Sequence, residues 1–114
     1  MNILITGGLG HIGSHLLNSI NKIKKLNKVY IIDNNSNNRI NSIFYYKHKQ
    51  LNLIIDDLSD EKCFKKIKHK IDIVIHLASI TDAESSVKNK EKVFNNNFKS
   101  FLNIIKFSKK INAN

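Results

Sequence analysis

The stretch Asn2-Ile-Leu-Ile-Thr-Gly-Gly-Leu-Gly-His-Ile-Gly13 decides the fold of this chain. Its first five residues form a short apolar run, which is typical of a buried parallel strand. Glycines follow at positions 7, 10 and 13, and apolar residues then recur at helical spacing at Ile12, Leu16, Ile20 and Ile23. We predict a strand over Asn2–Thr6, a tight glycine turn, and a helix from about His11 to Lys24.

The three glycines of this turn are expected to have different tasks. One permits the tight turn, the next lets the backbone approach a pyrophosphate without a Cβ in the way, and the third lets helix and strand pack closely. The pyrophosphate then lies at the helix N-terminus, where free N–H groups and the helix dipole meet its charge. Because the turn lies between a strand and a helix, Gly7, Gly10 and Gly13 favour a dinucleotide-binding loop over a turn without a ligand.

A carboxylate follows at the distance that such a loop requires. Asp33 ends the second apolar run, Lys28–Asp33, and lies 20 residues after Gly13. At that place a carboxylate accepts hydrogen bonds from the adenosine ribose and repels a 2′-phosphate. Asn34 and Asn35 follow it directly, with no arginine beside it, so the pattern favours NAD over NADP.

The rest of the chain alternates strands and helices. We predict further strands over Leu51–Ile55 and Ile71–Leu77 and a long helix from about Lys90 to Lys110, with Ser42–Gln50 left open. Ser59 is predicted to cap a short helix before the fourth strand. One apolar side of the long helix is predicted to consist of Val93, Asn97, Phe101, Leu102 and Ile105, with Phe94, Phe98 and Phe107 as core and flanking residues. The alternation predicts an α/β, Rossmann-type doubly wound parallel sheet with strand order 3-2-1-4.

Composition narrows the function classes. The net charge of +10 could indicate nucleic-acid or membrane binding, but the basic residues are almost all lysines and are spread over every polar segment. We therefore expect solvated helix faces, and neither a nucleic-acid nor a membrane partner. The single Cys63, the absence of a secretory signal and the absence of a long apolar run lead us to expect a cytoplasmic protein. We expect no metal site, since His11 and His15 lack a third ligand.

At these motifs the chain resembles the extended short-chain dehydrogenase/reductases, in particular the NAD-dependent epimerase/dehydratase family acting on nucleotide sugars. Thr6–Leu16 is similar to the family's TGGxGxIGSxL loop, and Asp33–Ser36 looks like its DNLS-type ribose loop. His76–Ser79 resembles the HLAA/HFAG strand end beside the nicotinamide half of the cofactor. Glu84–Asn97 resembles the segment ESV…P…Y…NN that enters the fourth helix.

The resemblance implies a set of cofactor-binding residues. Asp57 and Leu58 resemble the pair that holds the adenine, and Asn97 would reach back toward the cofactor. His11 stands where the family often has Tyr or Phe and could lie over the pyrophosphate. The implied NAD-binding residues are Gly7, Gly10, His11, Ile12, Gly13, Asp33, Asn34, Asn35, Ser36, Asp57, Leu58, Leu77, Ala78, Ser79 and Asn97.

Two departures concern the long helix. The family's proline in the ESV…P segment is Lys90 here, and the GT after the helix asparagine is Ser100-Phe101. Both concern the local path and packing of that helix more than cofactor binding.

The family's catalytic residues are not among those matched. Its Tyr-x-x-x-Lys pair comes on and after a fifth strand, so we expect residues 1–114 to be the N-terminal portion of an NAD(P)-binding Rossmann domain, with no catalytic residue. Tyr45 and Lys49 have this spacing by coincidence, since they lie between the second and third strands.

The sequence leaves three functions open. The first is NAD binding as the N-terminal part of a nucleotide-sugar epimerase or dehydratase, with a nucleotide-sugar substrate and a possible homodimer only in a full-length form. The second is a non-catalytic nucleotide-binding module or degenerate fragment. The third and weakest is a basic RNA-binding domain.

Overall fold

Four parallel strands form the centre of the molecule. The structure is a computed structural model, and it describes residues 1–44, 46, 50–80 and 89–114. The strands are β1 (Asn2–Thr6), β2 (Lys28–Asp33), β3 (Leu51–Ile55) and β4 (Ile73–His76). In the described ranges the strands are accompanied by two α-helices, α1 (His11–Ile20) and α2 (Lys90–Ile111), and by two short 3₁₀ helices, Ile40–Ile43 and Glu61–Lys66.

The order of the strands is β3-β2-β1-β4, as the sequence predicts. β1 pairs in parallel with β2 from Asn2 opposite Lys28 onward, and with β4 from Ile3 opposite Ile73 onward. The chain thus builds outward to β3 and then crosses to the other side of β1. Such a reversal of direction opens a crevice beyond the carboxyl ends of the strands, where doubly wound sheets bind ligands.

Both faces of the sheet are covered, which explains why β1 and β2 are nearly continuous apolar runs. On one face, Leu17 and Ile20 of α1 pack with Ile3, Ile5 and Ile31. On the other face, a second cluster unites the helix Glu61–Lys66 and α2 with the sheet: Leu4, Tyr30, Ile32, Ile54, Leu58, Cys63, Phe64, Ile71 and Ile104. This two-sided cover makes the sheet doubly wound.

Three element boundaries differ from the sequence-based predictions. Helix α1 ends at Ile20 instead of Lys24, because residues 21–27 form turns whose Asn27 N–H bonds to the Met1 carbonyl and returns the chain to the sheet. The cap of the short helix is Asp60 and not Ser59, since the Asp60 side chain accepts a hydrogen bond from the Lys62 N–H. Strand β4 covers Ile73–His76, and Ile71 is buried just before it.

The buried side of α2 agrees with the prediction only in part, because Phe107 packs against the core as predicted but Phe94, Phe98 and Phe101 are exposed. Ser100, Asn103 and Ile104 are its buried residues, and Phe107 stacks on Phe64 with ring centroids 4.4 Å apart. The other aromatic residues point outward: Phe94, Phe98 and Phe101 are 65%, 50% and 47% exposed. Counting apolar residues selected the wrong side because the small Ser100 and the polar Asn103 are buried in this helix, whereas three of its phenylalanines are exposed.

The outer edge of β4 is partly covered by the last residue. The Val74 N–H donates to the Asn114 carbonyl at 2.7 Å, and the Asn114 N–H donates to the Asp72 carbonyl at 3.0 Å. Asn114 thus bonds to the residues on either side of Ile73, as a residue does in a parallel strand pair. Within the described ranges, no helix is long and apolar enough to cross a bilayer.

Candidate functional site

The glycine turn connects β1 to α1 and lies against the end of β4. Gly7 has a φ of +68°, and a Cβ there would lie 2.6 Å from the Ala78 backbone nitrogen. A Cβ at Gly13 would lie 2.6 Å from the Gly7 carbonyl oxygen. Gly7 therefore makes the tight turn beside β4, and Gly13 allows α1 to pack on that turn, in agreement with two of the tasks expected from the sequence.

Gly10 differs from both, because a Cβ there would meet one neighbouring atom and no side chain. It is the N-cap residue of α1 with a φ of −67°, and the Gly7 carbonyl oxygen, 3.2 Å away, is the one near neighbour that its Cβ would have. No side chain caps the helix, and its first turn carries no acidic residue. The first N–H groups of a helix have no partner within it, so this end of α1 offers donors and a positive dipole to an anion.

Asp33, at the end of β2, ties the glycine turn to the next loop. Its Oδ2 accepts a hydrogen bond from the Leu9 N–H at 3.0 Å, and its Oδ1 accepts one from the Asn35 N–H at 2.8 Å. A carboxylate has about four acceptor positions. Two remain for a further donor, such as a ribose hydroxyl.

The loop after Asp33 is shaped by asparagine side chains. The Ser36 N–H donates to Asn34 Oδ1 at 3.0 Å, and the Arg39 N–H donates to Asn35 Oδ1 at 2.9 Å. Asn35 and Asn38 have φ values of 54° and 49°. Asparagine accepts this left-handed conformation more readily than most residues, so the loop turns back toward α1.

The end of β4 is fixed by the buried side chain of Thr6. Its Oγ1 accepts from the Leu77 and Ala78 N–H groups at 3.3 and 3.4 Å and lies 2.6 Å from His76 Nδ1. A hydrogen bond from the Thr6 O–H to Nδ1 requires the neutral imidazole with its proton on Nε2. Burial lowers the pKa of His76 and favours this neutral form. His76 is thus hydrogen-bonded, as the sequence predicts, but it is half-buried at the end of β4 and is not one of the core residues.

The segment after β3 supplies Asp56, Asp57 and Leu58. Asp56 forms an ion pair with Lys66 at 2.7 Å, and the hydrogen bond from Lys66 holds the pKa of Asp56 below its usual value. Leu58 is buried, and its carbonyl oxygen accepts from the Asn103 side chain at 2.9 Å. Asn103, which also donates to the Ser59 carbonyl at 3.1 Å, fastens this segment to α2.

Asn97 of α2 reaches back to the segment that follows β4. Its Oδ1 accepts from the Ile80 N–H at 2.9 Å, and its Nδ2 donates to the Ile80 carbonyl at 3.2 Å. Both ends of the amide therefore hold the backbone beyond Ser79. The first part of the matched segment, residues 84–88, lies outside the described residues, as do Tyr45 and Lys49.

These segments enclose a cleft of about 220 Å³ beyond the carboxyl ends of the strands. Eight residues proposed from the sequence line it: Asp33, Asn34, Ser36, Asp57, Leu58, Ala78, Ser79 and Asn97. The glycine turn adjoins the cleft through the bond between Leu9 and Asp33. His11 and Ile12 are exposed in the first turn of α1, Asn35 shapes the adjacent loop, and Leu77 bonds to Thr6.

Sequence reasoning missed several residues of the site. Thr6 and Asn103 organise it from buried positions, and Asn37, Asp56, Ile80, Asn96 and Ser100 also line the cleft. A polar residue directly before the glycine turn was the available signal for Thr6. Nothing in the local pattern distinguishes Asn103 from the other asparagines of α2, because its role depends on a segment 45 residues away.

The comparisons with known proteins agree with this architecture. The model of the NAD dependent epimerase/dehydratase family matches residues 3–114, and the chain belongs to that family. A UDP-glucose 4-epimerase of Yersinia enterocolitica is 34% identical over 102 residues, which are 85% of this chain and 30% of that protein. A dTDP-D-glucose 4,6-dehydratase of Dictyostelium discoideum is 40% identical over 106 residues, 83% of this chain and 23% of that protein.

Solved structures show the same fold. A UDP-N-acetylglucosamine 4-epimerase from Methanobrevibacter ruminantium, in complex with UDP-N-acetylmuramic acid, superposes with a TM-score of 0.81 at 33% identity, covering 98% of this chain and 35% of that one. A UDP-glucose 4-epimerase from Bifidobacterium longum, in complex with NAD⁺ and UDP, gives 0.83 at 27% identity, covering 99% and 35%. The chain thus spans about a third of the length of these proteins.

Proposed function

We propose that this chain binds NAD and serves as the cofactor-binding unit of a nucleotide-sugar epimerase or dehydratase. The observation that carries the proposal is the N-terminus of α1, which has no side-chain cap and where a Cβ at Gly10 would meet one atom, together with the nearby Asp33 carboxylate. A diphosphate fits the first feature and a ribose fits the second. Their adjacency at the reversal point of the sheet is what a dinucleotide requires.

The chain's own residues would divide the dinucleotide among three segments. The N–H groups of the first turn of α1 would hold the diphosphate, Asp33 would accept from the adenosine ribose, and Asp57 with Leu58 would border the adenine. The end of β4, at Ala78 and Ser79, would lie beside the nicotinamide half. Bound NAD would supply reversible hydride acceptance, and the protein would supply position and electrostatics.

The preference for NAD over NADP rests on Asp33. Two of its acceptor positions remain after the bonds to Leu9 and Asn35. They would accept from ribose hydroxyls, whereas a 2′-phosphate would bring negative charge next to a carboxylate.

The activity and the substrate class that we propose are taken from the relatives of the chain. The proteins compared act on UDP- and dTDP-sugars by name, so the substrate class proposed is a nucleotide sugar. The proton transfer would be performed by the Tyr-x-x-x-Lys pair that the family carries on and after a fifth strand. We therefore expect purified residues 1–114 to bind cofactor without turning over a UDP- or dTDP-sugar in a coupled NADH assay.

We also propose the finer features expected from the sequence. These are a cytoplasmic location, no nucleic-acid partner, and a homodimer in a full-length form. The single Cys63, a buried free thiol that can form no internal disulfide, supports a reducing compartment.

Isothermal titration calorimetry with NAD, NADP and ADP-ribose tests the binding proposal. We expect ADP-ribose and NAD to bind and NADP to bind at least about 10-fold more weakly, since one unfavourable charge contact costs on the order of 1.4 kcal/mol or more. A matched control is Asn95→Ala, which changes an exposed residue of α2.

Two results would contradict the proposal. Equal or tighter binding of NADP would refute the role of Asp33. Salt-dependent RNA binding in the absence of any nucleotide affinity would favour the basic RNA-binding alternative, whereas NAD binding by a full-length form without turnover would favour the non-catalytic module.

A further inference from the structure

Arg39 lies against the N-terminus of α1, although it follows β2 by six residues. The asparagine loop turns it back, and its guanidinium contacts the ring of His11, with Nη1 2.6 Å from Nε2 and Nη2 3.2 Å from Nδ1. His11 is the first residue of α1. The loop thus brings a fixed positive charge to the helix end that already attracts anions.

The hydrogen-bond donors of this guanidinium are not all satisfied. It carries five N–H donors and no acceptor, while a neutral imidazole has one acceptor nitrogen, so His11 satisfies one donor at most. The Nε–H of Arg39 is buried and has no hydrogen-bond partner. Among the described residues, the ion pair between a carboxylate and a cation joins Asp56 to Lys66 and does not involve Arg39.

A phosphate group matches what the guanidinium lacks. Its oxygens accept two parallel N–H bonds from an arginine fork, and such charge-assisted bonds are about twice as strong as neutral ones. The contact with His11 is weak by comparison, because the imidazole offers a single lone pair and no charge when neutral. A phosphate at the end of α1 would therefore displace His11 from Arg39.

We propose that Arg39 binds a phosphate of the dinucleotide and moves from His11 to that phosphate when the cofactor binds. The inference rests on the proposed NAD binding and extends it to a residue outside the matched motifs. The phosphate is either the diphosphate at the helix end or, in NADP, the 2′-phosphate beside Asp33. In the second case Arg39 offsets part of the discrimination by Asp33.

The chain permits a direct test, because Arg39 is its single arginine. The arginine Nε–H region of a ¹H–¹⁵N spectrum therefore holds one signal, which needs no assignment by mutagenesis. We expect this signal to shift on titration of the wild-type protein with inorganic pyrophosphate or 5′-ADP and to stay unchanged with adenosine. A shift with 2′-AMP but not with 5′-ADP would identify the 2′-phosphate as the source.

Calorimetry on variants gives the size of the effect. Arg39→Gln should weaken 5′-ADP binding about 10- to 100-fold, as expected for one lost charge-assisted contact, and should leave adenosine binding unchanged. Arg39→Lys, which keeps the charge but not the fork, should lose less. The matched control is Lys110→Gln, which removes an equal charge from the last turn of α2. Circular dichroism verifies that each variant is folded.

The outcomes separate this inference from the proposed function. NAD binding that leaves the arginine signal and the Arg39→Gln affinity unchanged would overturn the inference and leave NAD binding intact. A response to pyrophosphate or ADP without NAD binding would keep Arg39 as a phosphate-binding residue and refute NAD as the cofactor. A wild-type protein whose arginine signal responds to no phosphate overturns the inference regardless of the variants.

Discussion

The glycine turn allows a test that separates binding from folding at two positions three residues apart. Gly10 has an ordinary φ of −67°, and its Cβ would have one near contact, 3.2 Å from the Gly7 carbonyl oxygen. For the Cβ of Gly10→Val, this distance requires the neighbour to move by only a few tenths of an ångström. The fewer unfolded conformations of a non-glycine residue contribute about 0.4–1 kcal/mol in the opposite direction, so stability should change by about 1 kcal/mol or less.

Binding should respond very differently. The valine methyl groups would occupy the open side of the turn, where the diphosphate would approach the N–H groups of α1. Hydrogen bonds to a charged group contribute roughly 1.5–3 kcal/mol each, and the loss of two corresponds to at least about 100-fold in affinity for ADP-ribose. Gly10→Ala, with the smaller side chain, should lose less.

Gly7→Ala is the comparison that should damage the fold. Its φ of +68° is left-handed, and the added Cβ would lie 2.6 and 2.7 Å from backbone atoms of Ala78. Left-handed strain costs about 1–2 kcal/mol, and overpacking costs about 1–3 kcal/mol. The loss of roughly 2–5 kcal/mol is a large part of the stability of a small domain and should lower the melting temperature by about 10 °C or more.

Thermal melts by circular dichroism and calorimetry with ADP-ribose measure the two effects. The expected pattern is a folded Gly10→Val protein that does not bind and a destabilised Gly7→Ala protein. Wild-type affinity in Gly10→Val would refute the phosphate-loop assignment, and a wild-type melt of Gly7→Ala would refute the packing of the turn on β4.

Three further predictions concern other parts of the site. Asp33→Ala should remove most of the preference for NAD over NADP and weaken both, since the Leu9 and Asn35 N–H groups lose their acceptor; an unchanged ratio of the two affinities would contradict this. Asn103→Ala should cost about 1–3 kcal/mol of stability, because two carbonyl bonds at the Leu58 segment are lost, and a urea denaturation curve equal to that of Asn95→Ala would refute it. Burial lowers the pKa of His76 in the folded state, so its neutral form stabilises the fold above the unfolded pKa of about 6.5. That stability is lost as the pH falls through the folded pKa, and His76→Gln should flatten this part of the pH–stability curve.

Much of the fold follows from local patterns in the sequence. The period of the apolar residues and the glycine spacing predict the four strands, their order and the start of α1 correctly. Seven of the eight cleft residues proposed from motifs stand at or just after strand ends, where topology alone brings them together, and the eighth, Asn97, lies on α2. Local patterns are sufficient to predict these residues because the carboxyl ends of all parallel strands lie at the same edge of the sheet.

The sequence-based predictions fail where contacts between distant segments determine which residues are buried or brought to the site. Two residues determine which side of α2 faces the sheet. They are the small Ser100 and Asn103, whose amide donates a hydrogen bond to the Leu58 carbonyl. Arg39 was overlooked because six residues separate it from Asp33, and only the left-handed conformations of Asn35 and Asn38 return it to α1. Neither the hydrogen bond nor the loop path has a signature in the local sequence.

The two hydrogen bonds that Asp33 accepts from the Leu9 and Asn35 N–H groups have a consequence for how cofactor choice can evolve. One carboxylate both recognises the ribose and fastens the phosphate loop to its neighbour. A lineage that exchanged this residue to accept NADP would in the same step release two backbone donors and loosen the site for either cofactor. The change would therefore need a compensating acceptor elsewhere, and a protein engineer who alters the specificity of this fold should introduce that acceptor first.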